Sequence, residues 1–298
     1  IEGPVTLTGG GTIEMSGSAA RILDETGLAE GHLINNDFLI HGQGNIGENR
    51  TQLTNHSTIR ADVLDFRLDI DPGLGGMVNT GLMEATNTAT LRLNNGAYDN
   101  TGGTIHADVD SFVDFIAGPT ITGGTLQATG TGLIRTGDAS ITALDGVTID
   151  GQVLIDNTDN LELRGTITNN PGSLITVGSL GSLTDLLIEG ETTLTGGGTV
   201  ELIGSAARIL DESGGFTGHL TNSNNLIHGR GNIGGGRTQV TNGGTIAADV
   251  AGATLTIDVD ARGLANTGTL RADSTTTLHI MDGFANGGEI IAALDSTC

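Results

Sequence analysis

Short runs of alternating aliphatic and polar residues recur along the whole chain, as in TLRL at Thr90 to Leu93, VTID at Val147 to Asp150 and TLTID at Thr254 to Asp258. A period of two marks a strand with one buried face, and Gly, Asn and Asp turn signals separate the runs. No segment offers a helical apolar stripe of ten or more residues. A phrase close to Asn-x-Gly-Thr-aliphatic-x-Ala orders the runs, beginning at Asn55, Asn79, Asn100, Asn242, Asn266 and Asn286. Its aliphatic anchors Ile59, Met83, Ile105 and Leu126 lie 24, 22 and 21 residues apart, and Ile246, Leu270 and Ile290 lie 24 and 20 apart. Several short strands per period, with Gly or Asn at the corners, predict an all-β chain. The expected architecture is a right-handed parallel β-helix, or β-solenoid, of about 20–24 residues per coil. Inward Ile, Leu and Val would stack from coil to coil, corner Asn would form amide ladders, and Gly would take the left-handed corners. About 14 coils at ~4.8 Å each predict a rod on the order of 65 Å long. A β-propeller fits less well, since its blades of about 40 residues favour Trp, which is absent here.

A longer period encloses the short one. Residues 1–63 align without a gap on residues 188–250, an offset of 187, with 43 of 63 positions identical. IEGPVTLTGGGT returns as IEGETTLTGGGT and LIHGQGNIG as LIHGRGNIG. The organisation expected is a first repeat unit at 1–187 and a second, partial copy at 188–298, continuous with it. A partial copy suits a solenoid, where each coil contacts only its neighbours. Both ends read as cuts through a continuing pattern, so the expected partners are further repeats of the same chain or copies of itself stacked end to end. The stretch from Ile141 to Leu187 departs most from coil spacing and is the expected place for an insertion.

Composition narrows the function. The chain of 298 residues has 12 basic and 35 acidic residues, a formal charge of −23, and every basic residue is Arg. That balance disfavours nucleic acid and anionic membranes as partners. The absence of Lys excludes Schiff-base chemistry, a Walker lysine and Lys–Asn isopeptide cross-links. Cys298 is the single cysteine, so no internal disulfide forms. No apolar stretch is long enough to span a membrane, and no direct membrane insertion is expected.

The phrases LTGGGT, LIHGxGNIG, LTNxGTIxAD and NTGTLxA together resemble the repetitive passenger regions of bacterial autotransporter and filamentous-haemagglutinin-like β-helix adhesins. The resemblance covers nearly the whole chain. It implies secretion, a right-handed β-helix, and display in an extracellular or cell-surface location. The function expected on this basis is a structural stalk of a surface or matrix fibre, without catalysis and with surface glycans or matrix receptors as possible ligands. The chain departs from full-length members in showing no signal peptide, secretion cap or C-terminal translocator barrel, which leaves the export route open.

The alternative is a carbohydrate-active β-helix enzyme, a lyase or hydrolase. Such an enzyme needs carboxylates on one face of adjacent coils, with Arg and aromatic platforms for sugar rings. Acidic clusters are present at Asp62, Asp65, Asp69 and Asp71; Asp108, Asp110 and Asp114; Asp145, Asp150, Asp156 and Asp159; and Asp258 and Asp260. With one Tyr, six Phe and no Trp, sugar platforms are scarce. Three or more carboxylates with an Arg in one groove on adjacent coils would favour the enzyme. An exposed aromatic patch would favour an adhesin over a passive fibre.

Calcium is the one cofactor weighed. Asp69 with Asp71, Asp108 with Asp110, and Asp258 with Asp260 are expected to share a strand face, where they could bind Ca²⁺ if the next coil supplied a further oxygen. His32, His41, His219 and His228, near Asp24 and Glu25, invite a metal reading, against a plain role for His41 and His228 as corner donors to a carbonyl. Arg21 and Arg208 are expected to pair with Asp24 or Glu25 and their equivalents. GQGNIG from Gly42 makes a poor phosphate loop because no helix follows it. The Thr-x-Thr pairs do not recur at coil spacing, as an ice-binding face would require.

Overall fold

A computed structural model describes residues 1–26, 31–281 and 283–298. All regular structure in it is β-strand, and the strand pairings are parallel. The strands stack as a β-solenoid of about 12 turns with about 23 residues per turn. The count falls below the expected 14 because some turns are long: Leu163 pairs with Ile188 and Thr166 with Thr193. The chain divides into two compact units, Ile1–Gln152 and Val153–Cys298. This division does not coincide with the sequence-copy border at residue 187.

Within the first unit a representative turn carries three strands, Gln52–Asn55, Thr58–Ala61 and Arg67–Ile70. The next turn repeats them as Met77–Asn79, Leu82–Ala85 and Thr90–Asn94. The anchors read from spacing fall in one column, Ile59 on Met83, Met83 on Ile105 and Ile105 on Leu126. A second column runs Leu53, Met77, Tyr98 and Ile121, and a third Leu68, Leu91, Val113 and Ile134. All these side chains are buried. Alternation inverts at each residue of a strand, so the same register that packs the columns fixes which positions face outward. Tyr98 keeps its hydroxyl in this core by sharing its one hydrogen between the carbonyls of Asn94, at 2.6 Å, and Ile70, at 2.9 Å.

The second unit is built the same way. Val200, Ile227, Ile246 and Leu270 form one column. Leu186, Ile209, Ile233 and Ile257 form another.

Asparagine ladders line the corners, as expected. In the first unit Asn35, Asn55, Asn79 and Asn100 each pass an amide hydrogen to the side-chain oxygen of the next, at 2.9, 2.8 and 2.6 Å. In the second, Asn222, Asn242, Asn266 and Asn286 do so at 2.8 Å per step. The same amides also satisfy carbonyls of the turn, as Asn55 does for Ser57, so the corner carries few orphaned polar groups. Gly42 illustrates the demand on glycine. Its φ is +120°, and an added Cβ would lie 2.2 Å from the Met15 carbonyl oxygen; its repeat Gly229 (φ +114°) meets the Leu202 oxygen at the same distance.

No insertion occupies the stretch from Ile141 to Leu187. Regular strands run at Ile141–Asp145, Thr148–Asp150, Gln152–Ile155, Asn160–Asn169 and Leu174–Gly178, and another begins at Thr184. The spacing departs because the strands lengthen there, to 10 residues in Asn160–Asn169 and 12 in Thr184–Thr195.

Candidate functional site

The outward positions of the first unit carry charge in columns, because parallel register puts equivalent residues of successive turns ~4.8 Å apart. Arg21, Asn45, Asp69, Arg92, Asp114 and Arg135 follow one another in register. Alternation of sign closes ion pairs along the column: Arg92 reaches Asp69 at 3.9 Å and Asp114 at 4.0 Å, and Arg135 donates from Nε to Asp114 at 2.6 Å. Arg67 donates from Nε to Asp69 at 3.0 Å, and Arg21 pairs with Glu48 at 3.3 Å. The Arg135 guanidinium also sits 4.1 Å from the centre of the Phe112 ring, a cation–π contact.

Of these residues Arg21, Asn45, Glu48, Arg67, Asp69, Arg92 and Asp114 border an open groove of about 610 Å³. Its walls include the guanidiniums of Arg21, Arg67 and Arg92, the carboxylates of Glu48, Asp65, Asp69 and Asp114, and the ring of Phe66. Phe66 is 52 % exposed, and the side chains of Arg21 and Arg67 are 52 % and 61 % exposed. Three or more carboxylates with Arg in one groove on adjacent coils is the arrangement expected of a carbohydrate-active β-helix enzyme. Glu48, Asp69 and Asp114 each accept a bond from an Arg. Two residues on from Asp69, burial and then the charges of Asp69 and Glu48 hold the Asp71 carboxyl above its ordinary value.

Sequence reasoning grouped Asp65 and Asp69 with other carboxylates but missed the groove, since Glu48, Phe66, Arg67 and Arg92 meet Asp114 only through the coil register. A signal was nevertheless available in the duplication. At an offset of 187, inward Leu68 and Ile70 are matched by Leu255 and Ile257, yet outward Glu48, Asp65, Phe66, Arg67, Asp69 and Arg92 are matched by Gly235, Gly252, Ala253, Thr254, Thr256 and His279. The scaffold and Arg21 (as Arg208) are kept, while these six groove residues belong to one copy.

The proposed calcium pairs are placed differently from expectation. Asp69 and Asp71 lie on and just past the strand Arg67–Ile70, but Asp69 is engaged by Arg67 and Arg92. Asp108 and Asp110 do not share a strand face. They follow Thr104–Ala107 in a turn where Asp110 has φ +59° and accepts from the Thr131 hydroxyl at 2.5 Å. Asp258 ends the strand Thr254–Asp258, whereas Asp260 lies beyond it and takes bonds from Arg262. Burial alone would raise the Asp260 carboxyl, but the Arg262 bonds hold it below its ordinary value. Among the described residues no group of three or more His, Cys, Asp or Glu is placed to hold a metal ion.

The histidines pair coil to coil. His41 and His228 sit within strands, not at corners, and their partners are carboxylates, not carbonyls: Nδ1 lies 2.8 Å from Asp62 and 2.7 Å from Asp249 respectively. His32 and His219 meet the Thr54 and Thr241 hydroxyls through Nε2 at 2.9 Å, and His219 also meets Glu191. Asp24 is occupied in its own turn, accepting from the Thr26 hydroxyl and the Thr26 and Gly31 amides; Asp211 does the same with the Ser213 and Gly218 amides. Arg21 pairs with Glu48 on the next turn and not with Asp24 or Glu25. Arg208 does reach Glu212, the equivalent of Glu25, at 3.1 Å, but its closest partner is Asp185 at 2.5 Å.

No family model, curated protein or solved structure matches the chain. Among the described residues no helix is long and apolar enough to cross a membrane.

Proposed function

We propose that the chain is a structural stalk segment of a bacterial surface or extracellular-matrix fibre, a repeat that spans distance and carries surface outward without catalysis. The observation that supports this most is how its polar chemistry is spent: buried Asn amides and outer Arg–carboxylate pairs join each turn to the next. Aliphatic columns and amide ladders along the same axis make turns that resist being peeled apart, and the acidic exterior keeps copies soluble. Labelling intact cells of the source organism with an antibody to this chain, followed by electron microscopy, tests the reading. Fibres decorated outside the cell are expected; antigen confined to the cytoplasm overturns it.

The groove with its carboxylates and arginines favours a second reading, a carbohydrate-active β-helix enzyme. Against it stands the engagement of Glu48, Asp69 and Asp114 by guanidiniums, which ties up groups that would have to move protons. Release of reducing ends or unsaturated products from a panel of polysaccharides would establish that reading in place of the stalk.

A further inference from the structure

We propose that the groove of the first unit is a binding site for a neutral oligosaccharide chain. This goes beyond the stalk reading, which needs no ligand.

Three observations carry it. The groove alternates planar acceptors and planar donors, Asp69, Arg92 and Asp114, one per turn and hence ~4.8 Å apart. Arg135 caps both Asp114 oxygens, and Arg67 and Asn94 donate to those of Asp69, whereas Arg92 lies 3.9 and 4.0 Å from the two carboxylates and keeps a fork of donors suited to a vicinal diol. Next, Phe66 holds a half-exposed ring at the groove wall, a platform for the apolar face of a sugar ring. Arg21 and Arg67 beside it are more than half exposed, leaving guanidinium donors directed to solvent. Finally, the second copy keeps the scaffold and Arg21 (as Arg208) but replaces Glu48, Asp65, Phe66, Arg67, Asp69 and Arg92 by Gly, Ala, Thr and His. Charge and an aromatic at these positions are therefore not required to build a turn.

Charge selects the class of ligand. Three guanidiniums face four carboxylates in the wall, and the chain as a whole carries −23, so polyuronates, sulfated glycans and nucleic acids are repelled. An extended peptide is disfavoured on other grounds. The strand Arg67–Ile70 is already paired on both sides, with 44–46 and with Thr90–Asn94. The groove floor therefore offers strand faces and no free edge for an added strand.

The test uses the whole chain and three probes: neutral hexasaccharides of β-1,4-glucose, α-1,4-glucose and β-1,4-N-acetylglucosamine, titrated by calorimetry and by saturation-transfer NMR, with polygalacturonate as a fourth arm. The variant carries Phe66→Ala, Arg67→Thr and Asp69→Thr, the residues found at the equivalent positions of the second copy, where the turn forms with them in place. A retained β-sheet circular-dichroism spectrum and a cooperative melt verify that it folds. The expected result is saturable binding of at least one neutral hexasaccharide, weakened at least roughly tenfold in the variant. Absence of binding by all three, undiminished binding in the variant, or binding of polygalacturonate alone overturns the proposal. Each of these failures leaves the stalk reading intact, because that reading rests on the bonds between turns and is tested by where the chain is displayed.

Discussion

Replacing Asn79 by Ala isolates what an amide ladder contributes. Asn79 is fully buried; it accepts from Asn55 at 2.8 Å, donates to the Asn100 side-chain oxygen at 2.6 Å and makes a longer bond to the Gly81 carbonyl at 3.3 Å. Asn55 retains a partner in the Ser57 carbonyl, so its loss is partial. The Asn100 oxygen loses its ladder donor in a site where water cannot replace it. Two ladder bonds at about 1 kcal/mol each, plus about 1–3 kcal/mol for an unsatisfied buried acceptor, give a destabilisation of about 3–5 kcal/mol. Asn286 is the internal control. It accepts a ladder bond of the same length from Asn266 but is exposed, so Asn286→Ala is expected to cost under about 1 kcal/mol. Because solenoid turns open locally, the assay is native-state hydrogen exchange resolved by peptide, supported by urea unfolding followed by circular dichroism. Asn79→Ala is expected to cut protection over residues 53–107 and to leave the second unit unchanged. Equal costs for the two substitutions, or a loss below about 1 kcal/mol at Asn79, would show that the ladder is decoration on an aliphatic core.

Gly42→Ala forces a Cβ within 2.2 Å of a carbonyl at φ +120°, whereas Gly9→Ala, at φ +112°, meets nothing within 4 Å. Urea midpoints should fall by the equivalent of at least about 2 kcal/mol for the first and about 1 kcal/mol for the second. His106, 3.6 Å away, and Arg60, which donates to Glu84 at 2.6 Å, hold the Glu84 carboxyl below the usual 4.5 against the opposing effect of burial. A depressed carboxyl stabilises the fold fully above the unfolded value and loses that contribution as pH falls through the folded one. Thermal melting should therefore drop below about pH 4.5, and Glu84→Gln should lower stability at pH 7 by roughly 1–2 kcal/mol while flattening that acid limb. Chelation by EDTA, or added millimolar Ca²⁺ at fixed ionic strength, should move the melting midpoint by less than about 2 °C. A saturable rise larger than that would identify a bound ion.

The interior was legible in the sequence because it obeys two rules at once, period two within strands and a near-constant interval between turns. Ile59, Met83, Ile105 and Leu126 were placed in one column from spacing alone, and the stacked Asn followed from their position beside Gly at each corner. The exterior was less legible. His41 looked like a corner residue because Gly42 follows it, but that glycine marks a close backbone approach inside a strand. Arg21 was matched with near neighbours in sequence, whereas its partner Glu48 lies 27 residues away on the next turn. Outward side chains find partners by register, which shifts with every corner of uneven length, and so the groove emerged only once turns were laid side by side.

The offset between the copies carries a genetic corollary. Asn35 and Asn222, 187 residues apart, hold the same rung position in their respective ladders. Gain or loss of one such block by recombination therefore leaves every inward residue inward, whereas an indel breaking the turn interval would swap core for surface downstream. Length can thus drift in whole-block steps, with the solenoid's cross-section inherited unchanged.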